Sequence, residues 1–271
     1  MMLKNKNCKI IIALHKKYDV PQDAIYLPLH VGREGKKNLG YQGDNTGDNI
    51  SIKNPAFCEL TGLYWAWKNL QCDYVGLAHY RRHFTMKTFY FGRKNAKIKM
   101  VLSEKELEKL VTGYQIILPQ KRKYYIETLY SHYAHTHYKE HLDVSREIIK
   151  KRHPEYLSYF DKTMKQRSGY MFNMFIMEKR LSDTYCEWLF DILFELERQI
   201  NMPELSKFQG RFYGRVSEII FNCWLNYQLE NHRELKVKEI GCIHMEKINW
   251  LKKGSAFLEA KFGHKKYEGS F

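Results

Sequence analysis

The sequence lacks most of the short motifs that identify an enzyme class. It contains no CxxC pair, no GxSxG, no Walker A pattern and no GxGxxG, so zinc-site, serine-hydrolase, P-loop and Rossmann functions have no motif support. No stretch approaches the about 18 uninterrupted apolar residues that a membrane-spanning helix needs. The apolar run 10–14 is also too short for the core of a signal peptide. We therefore expect no secretion and only peripheral contact with a membrane.

Cysteine, proline and glycine are sparse, with 6, 6 and 16 residues in a chain of 271. The scattered cysteines are typical of reduced thiols packed as small hydrophobic side chains in a cytoplasmic protein. A hydrophobic fraction of 44% is enough to form a sizeable core. Because no linker-like segment interrupts the chain, we expect one domain over residues 1–250 and a basic, aromatic tail over 251–271.

Acidic residues are also too few to balance the basic ones. The formal net charge is +15, and the segment from Tyr74 to Ser103 contains no Asp or Glu. This excess indicates an anionic partner, such as a phosphorylated small molecule, an acidic membrane surface or a nucleic acid. A nucleic-acid-binding protein that stacks bases on its 20 tyrosines therefore remains an alternative function.

Hydrophobic periodicity predicts strands alternating with helices, an arrangement typical of a mainly parallel sheet covered by helices on both faces. The predicted strands cover residues 9–14, 73–79, 114–118, 170–177 and 235–243. The predicted helices cover residues 54–69, 126–159 with breaks near Asp143 and Pro154, 180–200 and 214–231, together with a short one capped by Ser103 and Glu106. Residues 32–54 are predicted to form a long loop.

The segment HYRRHF at 79–84 carries the most informative cluster of charges. It directly follows a buried strand, and α/β proteins bind ligands where parallel strands end. Guanidinium groups bind phosphate in a bidentate manner and stay charged. The segment from His244 to Trp250 follows the last predicted strand and supplies Lys247. Both segments could converge on one diphosphate, although a solvated basic turn explains HYRR equally well from charge alone.

Two further segments leave alternatives open. The loop GDNTGDNIS resembles a calcium loop, but Pro55 stands where an EF-hand needs Glu. It could bind sugar hydroxyls, or it could be an Asx-rich turn. Four histidines within ten residues could bind a metal, line an acceptor site or form a solvated helix face. They are His132, His135, His137 and His141.

Glu218 is the candidate general base. It lies near the start of the predicted helix 214–231, three residues after Arg215, and a carboxylate there could deprotonate an acceptor hydroxyl. A glutamate in the first turn also stabilises a helix through its macrodipole.

Several blocks taken together resemble one known family. They are GDNTGDNIS, KNPAFCELTGLYWAWKN, YVGLAHYRRHF, NMFIM and RVSEIIFNCWL. This combination, over 9–250, resembles the bacterial capsular and exopolysaccharide glycosyltransferase family that was catalogued as a domain of unknown function and includes galactofuranosyltransferases.

The resemblance implies a GT-A-like α/β domain that uses a UDP-sugar, with UDP-galactofuranose as the suggested donor. It implies transfer to a lipid-linked oligosaccharide at the inner face of the plasma membrane, by an inverting displacement. AHYRR occupies the position where metal-dependent relatives keep Asp-x-Asp, so we expect no metal and no other cofactor. The expected donor-binding residues are His15, Asp44, Asn45, Asp48, Asn49, His79, Arg81, Arg82, Asn173, Arg215, His244 and Lys247. The expected acceptor-binding residues are His135 and His137, and Glu218 is the expected catalytic residue.

Overall fold

A computed structural model describes residues 6–87, 94–200 and 205–246, together with the single positions 259, 261, 266 and 269. These residues form two compact units. Of the described residues, the first comprises 6–87, 94–120, 173–186 and 232–246, and the second comprises 121–172, 187–200 and 205–231 with the four single positions. No composition shift in the sequence marks this division. The predicted domain boundary at residue 250 lies outside the described residues and stays a prediction.

An eight-stranded sheet forms the core of the first unit, and two short strands pair in the second. The strands are β1 (Cys8–Leu14), β2 (Tyr26–His30), β3 (Gln42–Gly43), β4 (Tyr74–His79), β5 (Arg82–Thr85), β6 (Ile116–Pro119), β7 (Arg122–Lys123), β8 (Ser168–Gly169), β9 (Phe175–Glu178) and β10 (Val237–His244). The apolar runs at 10–14 and 74–78 are buried, as expected for central strands covered on both faces.

The strand order in the large sheet is β3-β2-β1-β4-β5-β10-β6-β9. Among the described residues, the pairs β1–β2, β1–β4, β2–β3 and β6–β10 are parallel. The pairs β4–β5, β5–β10, β4–β9 and β6–β9 are antiparallel. The prediction of a mainly parallel sheet is therefore not confirmed, because four of these pairs are parallel and four are antiparallel; the β3-β2-β1-β4 half and the β6–β10 pair are the parallel parts. The chain returns directly from β4 to β5 without a crossover helix, so these two strands pair antiparallel.

One edge of β4 is shared by two partners. Residues Tyr74 to Leu77 pair with β9, and His79 pairs with Arg82 of β5. The other edge of β4 pairs with β1 from Cys8 to Ala13. The change of partner falls at the C-terminal end of β4, which is also where the HYRR segment begins.

The helices are α1 (Asn54–Phe57), α2 (Leu60–Asn69), α3 (Lys94–Ile98), α4 (Glu104–Val111), α5 (Leu129–Thr136), α6 (Glu140–Arg152), α7 (Leu157–Met164), α8 (Lys179–Gln199) and α9 (Phe212–Asn231). The first predicted helix is interrupted at Cys58, which has φ 56° and ψ −131°. The break predicted near Asp143 lies instead at 137–139, because α6 begins at Glu140 and includes Asp143. The break at Pro154 and the capping box of Ser103 with Glu106 are confirmed.

Two strand predictions were also misplaced. The predicted strand 170–177 is reduced to β9, because Phe172 and Asn173 have φ of 77° and 51° and cannot continue an extended strand. The late strand is shifted by one or two residues, to Val237–His244. Within the described ranges, every helix is too short or too polar to cross a bilayer.

Gly76 lies in β4 between β1 and β9, where a Cβ would lie 2.9 Å from Ile176 Cγ1, 3.1 Å from the Phe175 carbonyl oxygen and 3.2 Å from Ile10 Cγ1. We expect Gly76→Ala to lower the free energy of unfolding by about 1 kcal/mol or more through overpacking. Urea denaturation tests this. Gly113→Ala is the control, since nothing lies within 4 Å of its Cβ position, and its change should stay within about 0.5 kcal/mol. Equal stabilities of the two variants would contradict the prediction.

Candidate functional site

Basic side chains gather at the C-terminal ends of β1 and β4 in the first unit. The two strands are parallel and in register up to Ala13 and His79, so their ends lie at the same edge of the sheet. His15 follows β1 directly, while Tyr80 and Arg81 form the turn between β4 and β5. The sequence prediction that the strand end and the HYRR segment lie together is consistent with this placement.

Tyr80 is buried at the centre of this group, which we call the Tyr80 cluster and define as His15, Lys16, Tyr18, His79, Tyr80, Arg81 and Arg82. Ring centroids of His79, Tyr18 and His15 lie 4.2, 4.8 and 5.3 Å from that of Tyr80. Lys16 Nζ and Arg81 Cζ lie 5.3 and 5.5 Å from the same centroid. Cations attracted to the face of an aromatic ring are thereby held at the sheet edge.

His79 is neutral within the Tyr80 cluster. Burial lowers its pKa well below 6.5, and the charges of Arg81 and Arg82 lower it further. Its Nδ1 accepts a hydrogen bond of 3.2 Å from the backbone N–H of Arg81, which requires an unprotonated Nδ1. The positive charge of the cluster therefore comes from Lys16 and the two arginines, which suits an anionic ligand.

Glu246 supplies a carboxylate to the same place. Its Oε2 lies 3.8 Å from Arg81 Nη1, and its Oε1 accepts a hydrogen bond of 3.3 Å from the Tyr18 hydroxyl. Burial and the nearby Glu246 raise the pKa of Tyr18 to about 12. Glu246 belongs to the segment from His244 to Trp250, in which the sequence predicts a role only for His244 and Lys247.

His244 reaches the cluster through β10. It pairs with Arg82 in the ladder between β10 and β5, and its carbonyl oxygen accepts a hydrogen bond of 2.6 Å from Lys97 Nζ. Lys247, the other residue predicted in this segment, lies outside the described residues.

Asp44 is fully buried, and its carboxylate holds the 32–54 loop together. It accepts hydrogen bonds from the backbone N–H groups of Gly32 (2.8 Å) and Arg33 (3.0 Å) and from the hydroxyls of Ser51 (2.5 Å) and Thr61 (2.6 Å). Because both oxygens are occupied by the protein, any effect of Asp44 on donor binding would act through the shape of the loop.

The other predicted loop residues also bind within the first unit. The Tyr64 hydroxyl donates to Asp48 Oδ1 at 3.1 Å, and burial together with this bond raises the pKa of Tyr64 to about 12. Asn45 donates to Glu34 at 3.4 Å, and Asn49 bonds the backbone of its own turn. Asn173 is buried, and its amide donates to Glu59 Oε1 at 2.7 Å.

The remaining predicted residues belong to the second unit. Arg215 lies over the Phe208 ring at 4.1 Å and donates to the Phe208 carbonyl oxygen at 2.7 Å. His137 bonds Gln209 Oε1 at 2.9 Å. Glu218 is half-buried in α9, where its charge helps raise the pKa of the buried Tyr133, an effect due mainly to desolvation.

Glu127 is a buried carboxylate that sequence analysis missed. His132 Nδ1 and His135 Nδ1 lie 2.7 and 2.5 Å from its two oxygens. Burial alone would raise its pKa, but the bonds and charges of the two histidines outweigh burial and lower it. An ionised carboxylate only accepts hydrogen bonds, so both rings donate from Nδ1. The i, i+3 spacing of the histidines is visible in the sequence, but it does not point to a carboxylate ahead of α5.

The histidine-rich segment does not assemble a metal site among the described residues. No group of three or more His, Cys, Asp or Glu side chains there is placed to hold an ion. His132 and His135 instead bind Glu127, and His141 Nδ1 lies 2.8 Å from the Tyr133 hydroxyl.

Comparison with known proteins identifies the family. The family model described as Domain of unknown function (DUF4422) matches residues 9–231, which is most of the chain. The chain belongs to this family.

The chain is also similar to a solved structure whose activity is named. That structure is the apo form of WbbM, a bifunctional glycosyltransferase, and the two chains share 35% identity with a TM-score of 0.82. The match covers 89% of this chain and 46% of the WbbM chain, so the chain spans about half the length of WbbM. No curated protein matches the chain. The resemblance to a glycosyltransferase family is thus confirmed at this coarse level.

Three histidines of the second unit, two buried and one half-buried, should make the protein sensitive to acid. Burial lowers the pKa of His132 and His141 to about 4 and that of His137 to about 3. Unfolding returns each toward about 6.5, so the unfolded chain binds more protons below that pH. Stability should therefore be full above about pH 6.5 and fall as the pH drops toward 4.

Urea denaturation between pH 7 and 5 measures this loss. His141→Gln should make the slope of unfolding free energy against pH shallower by up to one proton, about 1.4 kcal/mol per pH unit. His232→Gln is the control, because the His232 side chain is 49% exposed, and it should keep the wild-type slope. An unchanged slope in His141→Gln would be inconsistent with the assigned protonation.

Proposed function

We propose that this DUF4422 chain is a GT-A-like glycosyltransferase that moves a sugar from a nucleotide donor to a glycan acceptor. The observation that carries the proposal is the similarity to WbbM, at 35% identity over 89% of this chain. The Tyr80 cluster supports it, because cations stabilise a donor diphosphate and the arginines of the cluster lie at the C-terminal end of β4.

The donor diphosphate binds at the Tyr80 cluster in this proposal. Arg81 and Arg82 neutralise the charge that develops on the leaving nucleoside diphosphate, assisted by Lys247, and His15, His79 and His244 contact the donor. These fixed cations neutralise the diphosphate, as a carboxylate-bound metal does in metal-dependent enzymes. The reaction is therefore proposed to need no cofactor. Glu246 Oε2 lies 3.8 Å from Arg81 Nη1, so its carboxylate competes with the donor phosphate for that guanidinium.

The finer assignments follow the sequence resemblance. The donor is a UDP-sugar, with UDP-galactofuranose as the first to test, and the acceptor is a lipid-linked oligosaccharide of capsular, exopolysaccharide or O-antigen synthesis. The enzyme works at the inner face of the plasma membrane. The net charge of +15 and the lysines of the 251–271 tail support contact with an anionic membrane surface.

Transfer is proposed to be an inverting displacement. Glu218 removes the proton of the acceptor hydroxyl, whose oxygen attacks the anomeric carbon as the bond to the diphosphate breaks and its electron pair leaves with the nucleotide. Arg215 assists donor binding, and His135 and His137 contact the acceptor. The exposure of the His135 side chain, 36%, supports such a contact.

Donor binding can be tested by thermal stabilisation and calorimetric titration with UDP, ADP and an oligonucleotide. We expect selective binding of UDP. Arg81→Ala should weaken it about tenfold or more, because it removes a charge-assisted hydrogen bond. Glu246→Gln should strengthen it about twofold to fivefold, since an exposed ion pair is worth at most about 1 kcal/mol.

Binding of the oligonucleotide with a steep salt dependence, and none of UDP, would favour the nucleic-acid alternative. If Arg81→Ala and the wild type bound UDP with equal affinity, the proposal that the diphosphate binds at the Tyr80 cluster would be wrong. Glu104→Gln, which changes an exposed carboxylate, is the control for Glu246→Gln.

Catalysis can be tested with UDP-galactofuranose and a synthetic lipid-linked acceptor. Glu218→Gln should lower the transfer rate about 100-fold or more, the usual contribution of a general base, while UDP affinity is unchanged. Wild-type activity should persist in EDTA. Full activity of Glu218→Gln would reject the base, and loss in EDTA with recovery in manganese would reject the metal-free mechanism.

A further inference from the structure

Glu59 is a polar residue at the C-terminal edge of β4 that sequence analysis did not single out. It lies between Cys58 and the start of α2 at Leu60 and is half-buried. Its Oε1 accepts a hydrogen bond of 2.7 Å from the Asn173 amide. Both residues belong to the first unit, and we call them the Glu59–Asn173 pair.

The register of the sheet places this pair beside the Tyr80 cluster. The ladder between β4 and β9 ends at Leu77 and Phe175. His79 lies two residues beyond Leu77, and Asn173 lies two residues before Phe175. In an antiparallel pair these positions are at the same end of the two strands, so Asn173 and the carboxylate it binds are at the edge that carries His79.

The backbone on both sides of the pair is held in a conformation that is rare for residues with a side chain. Cys58 has φ 56° and ψ −131°, and Asn173 has φ 51°. Such conformations persist where the surrounding structure enforces them, often at ligand sites. Glu59 directly follows Cys58, and its hydrogen bond with Asn173 fixes the direction of its carboxylate.

The chemistry of the pair suits hydroxyl groups. An ionised carboxylate has about four lone-pair sites, of which the Asn173 amide uses one. We infer that the Glu59–Asn173 pair binds hydroxyls of the sugar that the donor carries, while the cations of the Tyr80 cluster bind its diphosphate. This assignment rests on the proposed function and adds Glu59 as a residue that distinguishes a nucleotide sugar from the bare nucleotide.

The test separates sugar recognition from nucleotide binding. Calorimetry gives the affinities of wild type, Glu59→Gln and Glu104→Gln for UDP, UDP-galactofuranose, UDP-galactose and UDP-glucose. In Glu59→Gln the side chain can still accept from Asn173 but has lost its charge. We expect its UDP affinity to be unchanged and the extra affinity for the preferred UDP-sugar to fall about tenfold or more. Glu104→Gln should match the wild type.

Asn173→Gly is a second variant that removes the amide. It should leave the local backbone unchanged, because glycine adopts positive φ without strain. It should keep UDP binding and lose the sugar-dependent gain, as Glu59→Gln does. An undiminished gain in Glu59→Gln, or no gain with any of the three sugars in the wild type, would overturn the inference. No binding of UDP by the wild type would instead overturn the proposed function, and the inference with it.

Discussion

The candidate site depends on the parallel pairing of β1 with β4. The two strands are in register from Cys8 with Tyr74 to Ala13 with His79, and their apolar residues are buried. Both strands are buried on both faces, so a slip of one residue would exchange the side chains of the two faces and disrupt the packing on each; the packing of the core therefore sets the register. That register in turn places His15 next to the HYRR turn. The positions of the polar side chains at this edge therefore depend on apolar contacts elsewhere in the two strands.

The two units differ in the charges that surround their buried ionisable groups. In the first, burial and the charges of Arg81 and Arg82 lower the pKa of His79 and keep it neutral. In the second, two histidines donate to the buried Glu127. Desolvation shifts pKa values in both units. The cations of the Tyr80 cluster outnumber the nearby carboxylates, so that cluster keeps a net positive charge that can bind an anion. The placement of charge is thus more informative about function than its total.

Sequence analysis predicted the parts of the fold that short-range patterns determine. The runs 10–14 and 74–78 are apolar enough to identify buried strands, and the Ser103 capping box has a fixed spacing. The hydrogen bonds of Asp44 are not visible in such patterns. Its four partners extend along the chain from Gly32 to Thr61, and only folding brings them together. For the same reason Glu127 was overlooked, since its histidine partners come close only once α5 forms. The family blocks indicated the fold without revealing these contacts.

The misplaced strand at 170–177 has a structural consequence. A continuous strand there would pair with β4 beyond Leu77 and occupy the edge at His79. The positive φ of Asn173 ends the extended conformation, so β9 begins only at Phe175 and the edge of His79 is left for Arg82 of β5. The strain at Asn173 therefore permits the tight turn that carries Tyr80 and Arg81, because a sheet edge can pair with one strand at a time. A local departure from ideal strand geometry thus creates the place where the basic residues gather.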